Sequence, residues 1–178
     1  MPIFLIGYMA CGKTTLGKAV AAECSLDFID LDEYISAQTG MTPREWFSEK
    51  GEKAFREIEL KALVEICSTA DAGAIVATGG GTPANGDAME LMLEKGKVVW
   101  LEASLQRTVD RLLEAEGERP IVAGKDAYQL LEFIPAHLNE RVPFYRRAPW
   151  RFDSTSLDTP EEIRQTVSLF KNLFLSNP

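Results

Sequence analysis

The 178-residue sequence predicts a single α/β domain in three layers, with a five-stranded parallel sheet between helices. Three observations carry that expectation. Five short apolar runs are spread along the chain, at residues 3–6, 28–30, 74–77, 98–101 and 150–152. Segments with helical periodicity fill the gaps, and strands that alternate with helices form a parallel sheet covered on both faces. The first and fourth runs are continuous rather than alternating, as in strands buried on both sides. The fifth alternates about Arg151 and is expected at an edge.

The helices follow in order. After the first run, Leu16, Val20 and Cys24 recur four residues apart, and after Gly51 the residues Phe55, Ile58, Ala62 and Ile66 recur at three to four. Ser104 is placed as the N-cap of a helix carrying Leu105, Val109 and Leu112. Pro135 and Pro143 interrupt the next region, so its helix is expected to be short, from near Pro135 to near Val142. The last helix has Thr159 as N-cap, Pro160 in the first turn and Glu162 at the capping-box position. The stretch 114–125, EAEGERPIVAGK, lacks an apolar face and has the character of a surface loop or an active-site lid.

Composition narrows the function. Nineteen basic against 27 acidic residues give a net charge of −8, which repels nucleic acid and anionic membranes, so neither is expected as a partner. Any anionic ligand must then be met by basic groups placed locally. No apolar run approaches the roughly 18 residues of a membrane span, and the N-terminal residues lack the basic start of a secretory signal. Three cysteines without CxxC spacing suit a reducing cytoplasm. A single histidine, His137, excludes a histidine-built metal cluster or a Ser-His-Asp triad.

Directly after the first strand stands GYMACGKTT, residues 7–15, a G-x-x-x-x-G-K-T phosphate-binding loop. Its glycines let backbone N–H groups converge on phosphate oxygens, and the helix that follows offers its positive end to the same anion. Lys13 can reach the β- and γ-phosphates, and the Thr14 hydroxyl can hold Mg²⁺. Cys11, inside the loop, is read as a small residue chosen for fit.

The acceptor side is less local. Alternation along the second strand puts Asp30 and Asp32 on one side at its carboxyl end, where ligand crevices form. One can orient metal-bound water and the other a substrate hydroxyl; alternatively, one caps the helix that begins near Glu33. Arg56 and Glu59 lie one helical turn apart. Gly79, Gly80 and Gly81 follow the third strand, where close backbone approach to a ligand is expected. Arg119 lies in the 114–125 stretch, where it can close on a transferring phosphate, and Arg141, Arg146 and Arg147 cluster before the last strand.

Together these motifs resemble the shikimate kinase family, over nearly the whole chain. The resemblance rests on GYMACGKTT, on the D-x-D of FIDLDEYI and on G-E-x-x-F-R-x-x-E from Gly51 to Glu59. It continues with the triple glycine, Arg119-Pro120 and R-x-P-x-Y from Arg141 to Tyr145. It implies strand order 2-3-1-4-5, a substrate-binding helical region at about 32–61 and a lid at about 114–126. It implies phosphorylation of the shikimate 3-hydroxyl by MgATP, in chorismate biosynthesis, by a cytoplasmic monomer. Nucleotide contacts fall on Ala10, Cys11, Gly12, Lys13, Thr14, Thr15, Arg111 and Arg119, with Arg111 stacked on adenine. Thr14 and Asp30 serve the metal; Lys13, Asp32 and Arg119 are catalytic, with Asp32 as the base. Asp32, Arg56, Gly79, Gly80, Gly81 and Arg141 bind substrate, the two arginines taking its carboxylate, while Glu59 orients Arg56. The sequence departs from the family at Ala10, where glycine is usual, at Cys11, and at Ile121-Val122, where two leucines are frequent. A kinase of another polyol acid, such as gluconate, and a non-catalytic nucleotide switch are the alternatives.

Overall fold

The structure, a computed structural model, describes residues 1–70, 73–115 and 121–175. In chain order the elements are β1 (Ile3–Ile6), α1 (Lys13–Cys24), β2 (Phe28–Asp30), α2 (Leu31–Thr39), α3 (Pro43–Glu49), α4 (Gly51–Thr69) and β3 (Ile75–Ala77). A 3₁₀ turn (Thr82–Ala84) leads to α5 (Ala88–Lys95), β4 (Lys97–Glu102), α6 (Leu105–Glu114), α7 (Ala127–Asn139), α8 (Val142–Tyr145), β5 (Trp150–Asp153) and α9 (Pro160–Phe174). The five strands form one parallel sheet in the order β2-β3-β1-β4-β5. That is the expected architecture, with β5 at an edge.

Alternation along the central strand sorts the core. Phe4 and Ile6 point into a cluster with Leu31, Phe55, Leu63, Met89 and Trp100, under α2, α4 and α5. Ile3 and Leu5 point the other way, against Leu16, Val20, Val167 and Phe170 of α1 and α9. A third cluster, of Tyr8, Met9, Val109, Leu112, Val122, Leu130 and Ile134, packs the phosphate loop on α6 and α7. All four residues of β1 are at most 2% exposed, so the loop that follows starts from a strand with no room to shift.

The helix ends mostly obey the sequence. Ser104 caps α6, and Thr159 with Glu162 forms a reciprocal capping box on α9. Two expectations are corrected. The helix expected near Pro135 begins at Ala127, where Asp126 and Gln129 form another capping box, and it runs through Pro135. The proline falls late, after the helix is nucleated, and the N–H it lacks would have served the carbonyl of Leu131, a residue on the exposed side. The second correction concerns Asp32, which lies in the first turn of α2 rather than on an extended strand. Asp30 ends the strand and is itself the N-cap.

Candidate active site

The carboxyl ends of β1, β2 and β3 open into a cleft of about 660 Å³. Its lining includes Ala10, Gly12, Lys13, Thr14 and Thr15 from the phosphate loop and α1, Asp30 and Asp32 from the β2–α2 junction, and Gly79 and Gly80 after β3. Arg111 of α6 closes the far side. The phosphate loop therefore shares one space with Asp30, Asp32 and two of the three glycines.

The loop begins α1 at Gly12, whose left-handed φ of 95° turns the chain into the helix, and the first residues of that helix line the cleft. Ala10 is also left-handed, with φ 58°, which explains why glycine suits this position; the alanine costs on the order of 1 kcal/mol. The Lys13 ammonium donates to the carbonyls of Gly7 and Tyr8 at 2.9 and 2.8 Å, within the loop it serves. Cys11 is 2% exposed and packs in the core beneath, as a residue chosen for fit. Its carbonyl accepts from the buried Ser154 hydroxyl at 2.6 Å, tying the loop to the chain after β5.

Asp30 works with both carboxylate oxygens. Oδ1 accepts from the backbone N–H groups of Asp32 and Glu33, capping α2, while Oδ2 accepts from the Thr14 hydroxyl at 2.9 Å. Thr14 and Asp30 thus form a pair of hard oxygen donors at the mouth of the phosphate loop, chemistry that fits Mg²⁺. Asp32 lies one residue into the helix, with Oδ1 3.5 Å from the space a Cβ on Gly79 would fill.

The triple glycine gathers the groups that the sequence placed at an acceptor. Arg56 stands behind Gly81, where a Cβ would lie 2.5 Å from its Nη2, and Arg141 stands behind Gly80, at 3.1 Å from Nη1. Arg56 pairs with the buried Glu59 at 2.9 Å and with exposed Glu52 at 3.4 Å. Glu59 also accepts from Thr82 Oγ1 at 2.7 Å and Asn85 Nδ2 at 2.9 Å. The Tyr145 hydroxyl donates to the Gly80 carbonyl at 2.5 Å, and burial pushes that phenol well above its ordinary range. Arg56, Gly81 and Arg141 do not line the cleft itself; they adjoin it through the glycines. Of the other basic residues before β5, Arg147 pairs with Glu90 on the surface.

Arg111 is clamped. It donates to the carbonyls of Ala10, Ser154 and Thr155 and pairs with Asp158 at 2.8 Å. The chain around 154–158, where Leu157 and Asp158 line the cleft, carried no motif. Its position at a strand's carboxyl end was the available signal. Arg119 lies outside the described residues.

This fold and phosphate loop, with carboxylates and arginines gathered beside the loop, define a small-molecule kinase of the P-loop class. The shikimate kinase family profile matches residues 9–170, and the chain belongs to that family. It is 44% identical over 172 residues to the shikimate kinase of Phocaeicola vulgatus, covering 96% of this chain and 97% of that one. The crystal structure of shikimate kinase from Bacteroides thetaiotaomicron superposes with a TM-score of 0.91 at 40% identity, over 97% of each chain. That of shikimate kinase from Acinetobacter baumannii, in complex with shikimate, gives 0.80 at 27% identity over 97% of this chain and 92% of that one.

Proposed function

We propose that the protein transfers the γ-phosphoryl group of ATP to the 3-hydroxyl of shikimate, giving shikimate 3-phosphate and ADP. The observation that carries this reading is the convergence of Asp32, Arg56 and Arg141 on three consecutive glycines beside a phosphate loop. A carboxylate faces the acceptor hydroxyl and two arginines face the acceptor carboxylate, with the donor phosphates anchored alongside. Planar guanidinium groups suit a carboxylate, and they create a local positive site in an acidic chain.

The residue roles in this reading are those that the family resemblance implies. Lys13 leaves its loop carbonyls for the β- and γ-phosphates, and the loop amides from Ala10 to Thr15 hold the phosphate oxygens. Thr14 would hold Mg²⁺ directly and Asp30 through its water shell; the ion would neutralise charge on the phosphates. Asp32 orients the acceptor hydroxyl and takes its proton, while Arg111 offers its planar group to the adenine. Arg119 is assigned to the transferring phosphate from a lid at about 114–126, whose far end is tied down by buried Val122. Residues 32–61, spanning α2, α3 and the start of α4, form the acceptor-binding region of a single kinase domain. A monomer, as the family resemblance implies, completes this reading. Three free cysteines support a cytoplasmic setting, and no helix among the described residues is long and apolar enough to cross a membrane.

The test is ADP release with shikimate, gluconate and nucleoside monophosphates as acceptors, in the wild type and in Asp30→Asn and Asp32→Asn. Turnover with shikimate alone is expected. Asp32→Asn should lose about 10² in kcat at every Mg²⁺ concentration, the lower end of general-base effects for a loose transition state. Asp30→Asn should recover partly as Mg²⁺ rises. Normal turnover in Asp32→Asn, or its rescue by Mg²⁺, would exchange the two assignments.

A further inference from the structure

His137 lies between the phosphate loop and the acceptor arginine. Its Nδ1 is 2.8 Å from the Tyr8 hydroxyl, and its Nε2 is 3.0 Å from Arg141 Nη2. Arginine can only donate, so Nε2 must be an unprotonated acceptor. The neutral ring therefore carries its proton on Nδ1 and donates a hydrogen bond to the Tyr8 oxygen. One partner comes from the phosphate loop and the other from just beyond α7; Arg141 selects the tautomer, and Tyr8, which can donate or accept, adapts to it. The ring is also held by shape, tilted against Phe133 at 5.0 Å and edge-on to Tyr8 at 5.6 Å. Burial and the Arg141 charge both favour the neutral form.

We propose that His137 is a positioning residue for Arg141, acting as a neutral acceptor at Nε2 while its Nδ1 side is held by Tyr8. It holds Nη2 and leaves the Nη1 side of the guanidinium facing the glycines, where the acceptor carboxylate arrives. A carboxylate at this position would orient the arginine as well but would also neutralise it, and so compete with the substrate. An imidazole fixes the direction and leaves the positive charge for the ligand. The proposal rests on the assignment of Arg141 to the acceptor carboxylate.

The experiment is steady-state kinetics on His137→Leu, His137→Gln, Arg141→Ala and the His137→Leu/Arg141→Ala double variant, at pH about 8, where histidine is neutral. His137→Leu is expected to raise the KM for shikimate about 3- to 10-fold, the worth of one hydrogen bond, with kcat and the KM for ATP nearly unchanged. His137→Gln, whose amide oxygen can accept from Arg141, should recover most of that loss. In the Arg141→Ala background the leucine substitution should add nothing. A His137→Leu enzyme that loses kcat while keeping its shikimate KM would show a purely structural histidine and overturn the proposal. Arg141→Ala with an unchanged shikimate KM would overturn the Arg141 assignment and the proposal with it. A large effect of Arg141→Ala beside none of His137→Leu would overturn the positioning role alone.

Discussion

The two arginines behind the triple glycine carry the same charge and are held by opposite means. Arg56 sits in an ionic network, with Glu59 1% exposed and bonded in turn to Thr82 and Asn85. Arg141 meets a neutral imidazole and the Tyr145 phenol. The ionic clamp is rigid because three polar partners depend on one buried carboxylate, and removing that carboxylate strands them all. The neutral clamp has little to strand. The difference teaches that the Arg56 side of the proposed carboxylate site is tied to the stability of the fold, whereas the Arg141 side is oriented at small structural cost.

The largest expected effect breaks the ionic side. Glu59→Ala should cost about 3 kcal/mol, seen as a Tm lowered by roughly 6–12 °C in a calorimetric melt. His137→Leu should lower Tm by only about 2–4 °C, and equal losses would erase the contrast. Next come Arg56→Lys and Arg141→Lys. Lysine keeps the charge but loses the fork, so shikimate affinity by titration calorimetry should fall about 10- to 100-fold while ATP affinity holds. Normal shikimate binding by both would place the carboxylate pocket elsewhere.

A smaller effect tests the glycines that back the two groups. Gly81→Ala would put a Cβ 2.5 Å from Arg56 Nη2, and Gly80→Ala one 3.1 Å from Arg141 Nη1. Overpacking of this kind costs roughly 1–3 kcal/mol, so Gly81→Ala should raise the shikimate KM about tenfold or more and Gly80→Ala less. The reverse order would mean that Arg141 is the less yielding of the two.

The smallest effect is a pH limb confined to the neutral side. His137 faces Tyr8 from the phosphate loop, with Arg141 and Glu140 from beyond α7, and Lys125 lies over the neighbouring Phe133 ring. Burial, and then Arg141, hold the imidazole below its ordinary value of 6.5, with Glu140 opposing. Between that lowered value and 6.5 the folded protein binds fewer protons than the unfolded chain. The stability from this group is therefore complete above 6.5 and falls as pH drops through the window. Protonation also removes the acceptor for Arg141, so shikimate KM should stay flat at higher pH and rise below the lowered value. His137→Gln should lack that limb.

What could be read from the chain, and what could not, divides along the same line. The phosphate loop was legible because its chemistry is made by neighbours in sequence: a buried strand, a glycine turn and the first amides of a helix. The five strands and the capped starts of α6 and α9 are local in the same sense. At the β2–α2 junction the residue types were right and the geometry was not. The strand stops at Asp30, and one carboxylate both caps the helix and meets Thr14, so simple alternation could not place Asp32. The helix expected from near Pro135 starts at Ala127 instead, because Asp126 and Gln129 cap it there and the proline falls inside a turn already formed.

His137 carried no motif at all. Its partners lie 129 and 4 residues away, and the sequence says nothing of a ring held between two separate segments. Likewise, Glu59 could be paired with Arg56 by spacing, but not buried beneath Thr82 and Asn85, which arrive from beyond β3. Backbone conformation and hydrogen bonding over a few residues follow from residue type and spacing, and these established the fold class and the donor site. Which charge is buried, which is met by a neutral group and which faces the cleft depends on packing between distant segments, and only the folded chain decided that.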